Sequence, residues 1–122
     1  MHIENFLDYC LSLPHAQEDA PFSPNILVLK ISGKIFAITD LEAEEFKVGL
    51  KCDPEQAVRW RELYPEVNPG FHMNKKHWNT VSFQGNLSDQ FLKEMIQHSY
   101  ALVYKGLTKK VKEELKELNN NL

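Results

Sequence analysis

The chain has 122 residues, of which 43% are hydrophobic and 25% charged, and 14 Lys plus Arg face 17 Asp plus Glu for a net charge of −3. That length and composition describe a single soluble domain able to bury a core without disulfide staples, and exclude a collagen-like, low-complexity or membrane-spanning chain. The negative total also excludes a protein that grips nucleic acid through its overall charge, so any anionic partner must meet a local cationic patch.

Ile3, Phe6, Leu7, Cys10 and Leu11 recur at helical spacing and predict an amphipathic first helix that stops near Pro14. The polar stretch from His15 to Asn25, with Pro21 and Pro24, is expected to be a loop, and it is the only candidate lid. Ile26 to Ser32 and Ile35 to Thr39 predict two strands joined at Gly33-Lys34 as a hairpin. Glu42, Glu44 and Glu45 form a solvated connection without an apparent partner. Phe46, Val48 and Leu50 then alternate with Lys47, Gly49 and Lys51, the pattern of a half-buried strand with its lysines outward.

Asp53-Pro54 starts a helix, because the carboxylate caps free N–H groups and proline is tolerated at the first helical position; Gln56 completes a capping box. This helix is expected to run to about Tyr64 and to bury Ala57, Trp60, Leu63 and Tyr64. Pro69-Gly70 marks a turn, and Thr80 to Gln84 alternates as a strand with Val81 and Phe83 on one face. Ser88 caps a long helix whose stripe is Phe91, Leu92, Met95, Ile96, Ser99, Leu102 and Val103. Gly106 breaks it, and Thr108 caps a last helix carrying Val111, Leu115 and Leu118. On that helix Lys109 with Glu113 and Lys110 with Glu114 sit four apart, the spacing of a salt-laced outer face. The expected domain is 1–118, followed by a frayed tail at 119–122. Strands gathered mid-chain between helices give an α+β class, with an antiparallel sheet covered by helices on one face.

The segment from His72 to Val81 is the one place where the sequence hints at a partner. His72, Asn74, Lys75, Lys76, His77 and Asn79 supply donors for phosphate or carboxylate oxygens, and Trp78 has the chemistry to stack on a base or to brace the segment from the core. Lys51 on the outward strand face, with Arg59 and Arg61 on the preceding helix, extends the candidate patch. The competing account is a surface hairpin with Trp78 buried and the lysines solvated. Metal binding is not expected: His72 and His77 are five apart, and with Cys52, His98 or His15 they match no usual ligand spacing. Nor is catalysis, since no GxSxG, Walker loop, GxGxxG or HExxH is present. The two cysteines, Cys10 and Cys52, make neither a zinc pattern nor a disulfide framework. With no signal segment and no membrane-length apolar run, the cytoplasm is the expected compartment.

Gly49-Leu50-Lys51-Cys52-Asp53-Pro54-Glu55, Tyr64-Pro65 and the block from Gly70 to Val81 resemble the MmcQ/YjbR family. Gly33 to Ala37, Ser99-Tyr100 and Gly106 to Lys110 extend the resemblance over essentially the whole chain. It implies a small bacterial protein with a compact CyaY-like (frataxin-like) α+β fold, of a group described as predicted DNA-binding. It supplies no catalytic residue. Frataxin-type iron binding is not carried over, because the first helix offers only Glu4 and Asp8. The expectation is therefore a non-enzymatic DNA-binding module without cofactor or metal, using Lys51, Arg59, Arg61, His72, Asn74, Lys75, Lys76, His77 and Trp78. The alternative partner is a small anionic ligand or metabolite held in a pocket beside the same segment.

Overall fold

Side-chain caps fix where the helices begin. Asp53 Oδ2 accepts from the Gln56 amide at 3.2 Å, Ser88 Oγ from the Phe91 amide at 3.1 Å, and Thr108 Oγ1 from the Val111 amide at 3.2 Å. The computed structural model describes residues 1–70 and 73–120. In chain order it contains α1 (Ile3–Ser12), β1 (Ala16–Asp19), β2 (Ile26–Ile31), β3 (Lys34–Asp40), β4 (Lys47–Lys51), α2 (Pro54–Leu63), β5 (Val67–Pro69), β6 (Trp78–Ser82), α3 (Asp89–Lys105) and α4 (Lys109–Asn120). The strands form one antiparallel sheet of order β1-β2-β3-β4-β6-β5, with β1 and β5 at its edges. The class is α+β, with helices packed against the sheet.

The β2–β3 hairpin turns through Ser32 and Gly33, both at positive φ (49° and 79°), the geometry that matches the twist of adjoining strands. One residue earlier than the expected Gly33-Lys34 pair, this turn places Lys34 in the strand. Further along, Leu29 faces Ala37 while Lys30 faces Ile35, so Phe36 is an extra residue in β3. Such a bulge rotates the strand locally, and Phe36 and Ala37 both enter the core.

One core lies between the helices and one sheet face. It joins Phe6 and Cys10 of α1, Leu29, Ile31, Val48, Leu50 and Val81 of the sheet, and Leu92, Met95, Ile96 and Val103 of α3. Phe6, Phe46 and Phe83 meet edge to face with centroids 5.3–5.6 Å apart. α3 lies across β3 and β4, α1 beside β1, and α2 beside β5. Ser99 of α3, fully buried, donates its hydroxyl to the Phe36 carbonyl at 2.6 Å and accepts from the Lys51 amide at 2.8 Å. The β3–β4 ladder ends one step earlier, at Ala37–Leu50. The hydroxyl therefore continues the ladder from outside the sheet.

Several expectations need correction. The stretch after His15 is not wholly loop: Ala16–Asp19 is an edge strand, and Val67–Pro69 is a second short edge strand. Neither shows hydrophobic alternation, because an edge strand needs only one partner ladder. Leu11 is exposed and Leu13 is buried in its place, just beyond the end of α1. Leu63 is 62% exposed rather than part of the buried face of α2, and Leu118 is also exposed. Glu45 is not solvated and partnerless: it accepts from Ser82 Oγ and pairs with Lys47 at 3.5 Å. Gln56 does not complete a capping box in this structure; its side-chain oxygen accepts from Arg59 at 3.5 Å. The expected Lys109–Glu113 and Lys110–Glu114 pairs do not close among the described residues, where the ion pairs are the terminal amine with Asp89, Lys30 with Asp19 and Lys47 with Glu45. α4 continues to Asn120, and residues 121–122 of the expected tail lie outside the described residues.

Replacing Ser99 by Ala leaves a buried carbonyl and a strand amide without their partner, so stability should fall by about 1–3 kcal/mol. Urea unfolding reads this as a lower midpoint with an unchanged slope.

Candidate nucleic-acid interface

The Asn74 side chain starts a turn by accepting from the Lys76 amide at 2.8 Å, while its carbonyl accepts from the His77 amide at 3.3 Å. Lys75 and Lys76, in the middle of this turn, are exposed. The turn leads directly into β6, where Trp78 faces Lys51 of β4.

Backbone hydrogen bonds from three directions hold the turn. The Cys52 amide donates to the His77 carbonyl at 2.7 Å, and the Gly70 amide to the Trp78 carbonyl at 2.9 Å. Arg61 of α2 donates through Nη2 to the carbonyls of Lys75 and, at 3.3 Å, Trp78. Its Nε donates to Asn79 Oδ1 at 2.6 Å, and Asn79 Nδ2 donates to the Ala57 carbonyl at 3.4 Å. Asn79 is only 2% exposed, so this network is a buried polar link between α2, β6 and the turn. Gly70 is needed for close approach: a Cβ there would lie 3.0 Å from both Trp78 Cβ and the Trp78 carbonyl oxygen.

The expected site residues divide into three groups. Lys75, Lys76, Asn74 and Arg59 are exposed, and Lys51 and His77 are half-buried. Lys51, Arg59, Lys75 and Lys76 take part in no ion pair among the described residues. Arg61 and Trp78 are the second group. Arg61 is half-buried and donates through Nε and Nη2 to acceptors within the protein, and Trp78 is 8% exposed. A base cannot stack on a ring buried to that extent, so of the two expected roles for Trp78 only bracing fits the geometry. His72 lies outside the described residues. Asn79 is the member of the network that matters most for shape. Its signal in the sequence is parity: it shares a strand face with Val81, and an amide at a core-facing position demands partners.

The turn and the acidic connection lie at opposite ends of β4, although Asp53, two residues past Lys51, also places a carboxylate near the turn. The turn adjoins the Lys51 end of β4, whereas the connection bearing Asp40, Glu42, Glu44 and Glu45 adjoins the Lys47 end. Four residues of strand separate these ends by about 13 Å, beyond the Debye length of about 10 Å at 0.1 M salt. The acidic connection therefore does little to neutralise the turn.

Two titratable groups near the turn are shifted by burial. Burial, and then the Asp53 carboxylate, push the Cys52 thiol up to about 12 against the opposing effect of Arg61. The thiol therefore stays protonated at neutral pH and is a poor nucleophile. Burial holds His98 below its ordinary value, with Asp53 acting weakly the other way. As a neutral ring it accepts from the Asp53 amide through Nε2 at 3.2 Å. Among the described residues no three His, Cys, Asp or Glu side chains could hold a metal ion. Of two clefts among the described residues, the larger, about 640 Å³, lies at the acidic end and is lined by Glu4, Asp40 and Glu44 with Phe46 and Phe83. The smaller lies between Asn5, Asp8, Tyr9 and Lys93. Neither adjoins the turn. No helix of the described chain is long and apolar enough to cross a membrane.

His98 gives a test by pH. Its folded pKa is lowered, so below about pH 6.5 the unfolded chain binds more protons than the folded one, and stability rises with pH there. The contribution is complete above 6.5 and is lost as pH falls through the lowered folded value. Thermal midpoints measured from pH 7.5 to 5 should show this loss. It should shrink in His98→Gln, whose side-chain oxygen accepts from the Asp53 amide without titrating.

Comparison with known proteins gives a consistent picture. A family model described as YjbR matches residues 11–102. The uncharacterized protein YbdF of Escherichia coli O157:H7 is 40% identical over 101 residues, covering 82% of each chain. The uncharacterized protein YjbR of Escherichia coli K12 is 31% identical over 100 residues, covering 82% of this chain and 85% of its own. The crystal structure of Deinococcus radiodurans protein DR2400, described by the domain DUF419, superposes with a TM-score of 0.87 at 36% identity, over 93% of this chain and 87% of that one. A Pseudomonas syringae protein gives a TM-score of 0.73 at 26% identity, over 84% and 99%.

Proposed function

We propose, on the premise that the chain belongs to the YjbR family, that it is a non-enzymatic module that binds the phosphate backbone of DNA through the turn at residues 74–77. One observation carries this reading. The turn's main chain is pinned by hydrogen bonds, while its two lysine side chains are exposed and, among the described residues, pair with no carboxylate. Rigid placement of cations lowers the entropy lost when they meet phosphates. Lys51, opposite Trp78 in the β4–β6 ladder, extends the cationic zone, and Asn74 and His77 add polar groups beside it. With Trp78 buried, the site has the features of a backbone binder rather than a base reader. The proposed compartment is the cytoplasm, where such a partner resides. The alternative is a small anion in a neighbouring pocket; of the two clefts described among residues 1–70 and 73–120 neither adjoins the turn, and the larger carries carboxylates.

Titration of a labelled duplex at salt concentrations from 25 to 200 mM tests this directly. Log affinity should fall linearly with log salt, and Lys75→Ala with Lys76→Ala should reduce the slope by about 2, near 0.9 for each lost phosphate contact. No binding at the lowest salt removes the proposal. Stabilisation by one small anion with duplex inert would favour the alternative.

A further inference from the structure

We infer that Arg61 is the positioning residue of this interface: it sets the lysine-bearing turn in place through main-chain carbonyls and does not itself contact the nucleic acid. The inference rests on the binding reading given above and adds a division of labour among its cations.

The geometry distinguishes Arg61 from every other cation of the zone. Its Nε donates to Asn79, and its Nη2 donates to the carbonyls of Lys75 and Trp78. Asn79 is buried and is itself tied to the Ala57 carbonyl of α2. The fork thus spans a fixed anchor on one side and both ends of the turn's exit on the other. A lysine at position 61 keeps the charge but not the function, because a single ammonium nitrogen lacks the planar fork needed to serve acceptors on two separate segments. Arg59, two residues earlier on the same helix, shows the contrast: it is exposed, and among the described residues its side chain hydrogen-bonds to Gln56 alone, at 3.5 Å.

Charge and position make different predictions, so substitution separates them. Arg61→Lys and Arg61→Gln are compared with the unaltered protein and with the Lys75→Ala, Lys76→Ala double variant, each well below its unfolding midpoint. For a positioning residue, both Arg61 variants weaken duplex binding by roughly tenfold, since the loosened turn must be ordered again on binding. They also speed amide exchange at Lys76 and His77 in the free protein, while exchange in β3 and β4 is unchanged. In the double-lysine background the Arg61 substitutions have no further effect on binding, as expected when one group acts through the others. Full rescue of affinity by Arg61→Lys overturns the inference, as does unchanged exchange in the turn.

One measurement needs no substitution. In the unaltered protein the Arg61 Nε–H resonance should keep its position when duplex is added, while the Lys75 and Lys76 amides shift. A comparable shift at Arg61 would mean direct contact and overturn the proposal. If the unaltered protein binds no duplex at low salt, the binding reading itself fails and this inference falls with it. Binding with full rescue by lysine defeats the positioning role alone.

Discussion

A single hydroxyl governs how the helical layer sits on the sheet. Ser99 bridges the carbonyl of the bulged Phe36 and the amide of Lys51, one step beyond the point where β3 and β4 stop pairing. Both groups would otherwise be buried polar atoms without partners, so the helix can hold only one height and rotation against these strands. The neighbouring His98 ring takes the next free amide, that of Asp53. Two adjacent residues of α3 thereby fix the end of β4 and the first residue of the α2 cap. The rest of the site follows from that placement: α2 starts at its cap, α2 carries Arg61, and Arg61 joins the Cys52 and Gly70 amides in holding the turn.

The cationic zone depends on this chain of support more than on the number of basic residues. A net charge of −3 disfavours polyanions at long range, yet salt screening makes range decisive. Where charges are unevenly spread along a strand, the total is a poor guide to what a ligand meets at either end. Contact is then governed by local density and by how firmly the cations are held. The buried Trp78 fits this arrangement, since it stiffens the base of the turn instead of presenting its ring.

Much of the fold was legible in the sequence because local rules and tertiary structure agree there. Asp53-Pro54, Ser88 and Thr108 begin helices by capping chemistry that needs no knowledge of the rest of the chain. Val81 and Phe83 alternate as a buried face must, and the stripe of α3 is buried at Leu92, Met95, Ile96, Ser99 and Val103. The edge strands were not legible: Ala16-Gln17-Glu18-Asp19 has the composition of a loop, and Val67-Asn68-Pro69 is too short to show a period. Nor could periodicity reveal that Arg61 turns inward and Leu63 outward, because the acceptors that hold Arg61 come from residues 14 to 18 positions later. At the candidate site, residue types indicated a cationic segment. The division between exposed Lys75 and Lys76 and the inward Arg61 required the three-dimensional partners.

The two edge strands have a consequence for molecules gathered side by side on a polymer. Proline at position 69 has no amide hydrogen to offer, and β5 spans only three residues. At the other margin, Glu18 and Asp19 bring carboxylates to β1. Each margin thus discourages a second copy from docking its own sheet there. A long polyanion crowds its ligands together, and a protein with receptive margins would zip into fibres under such crowding. On the polyanion proposed above, such margins would keep neighbouring copies from pairing edge to edge.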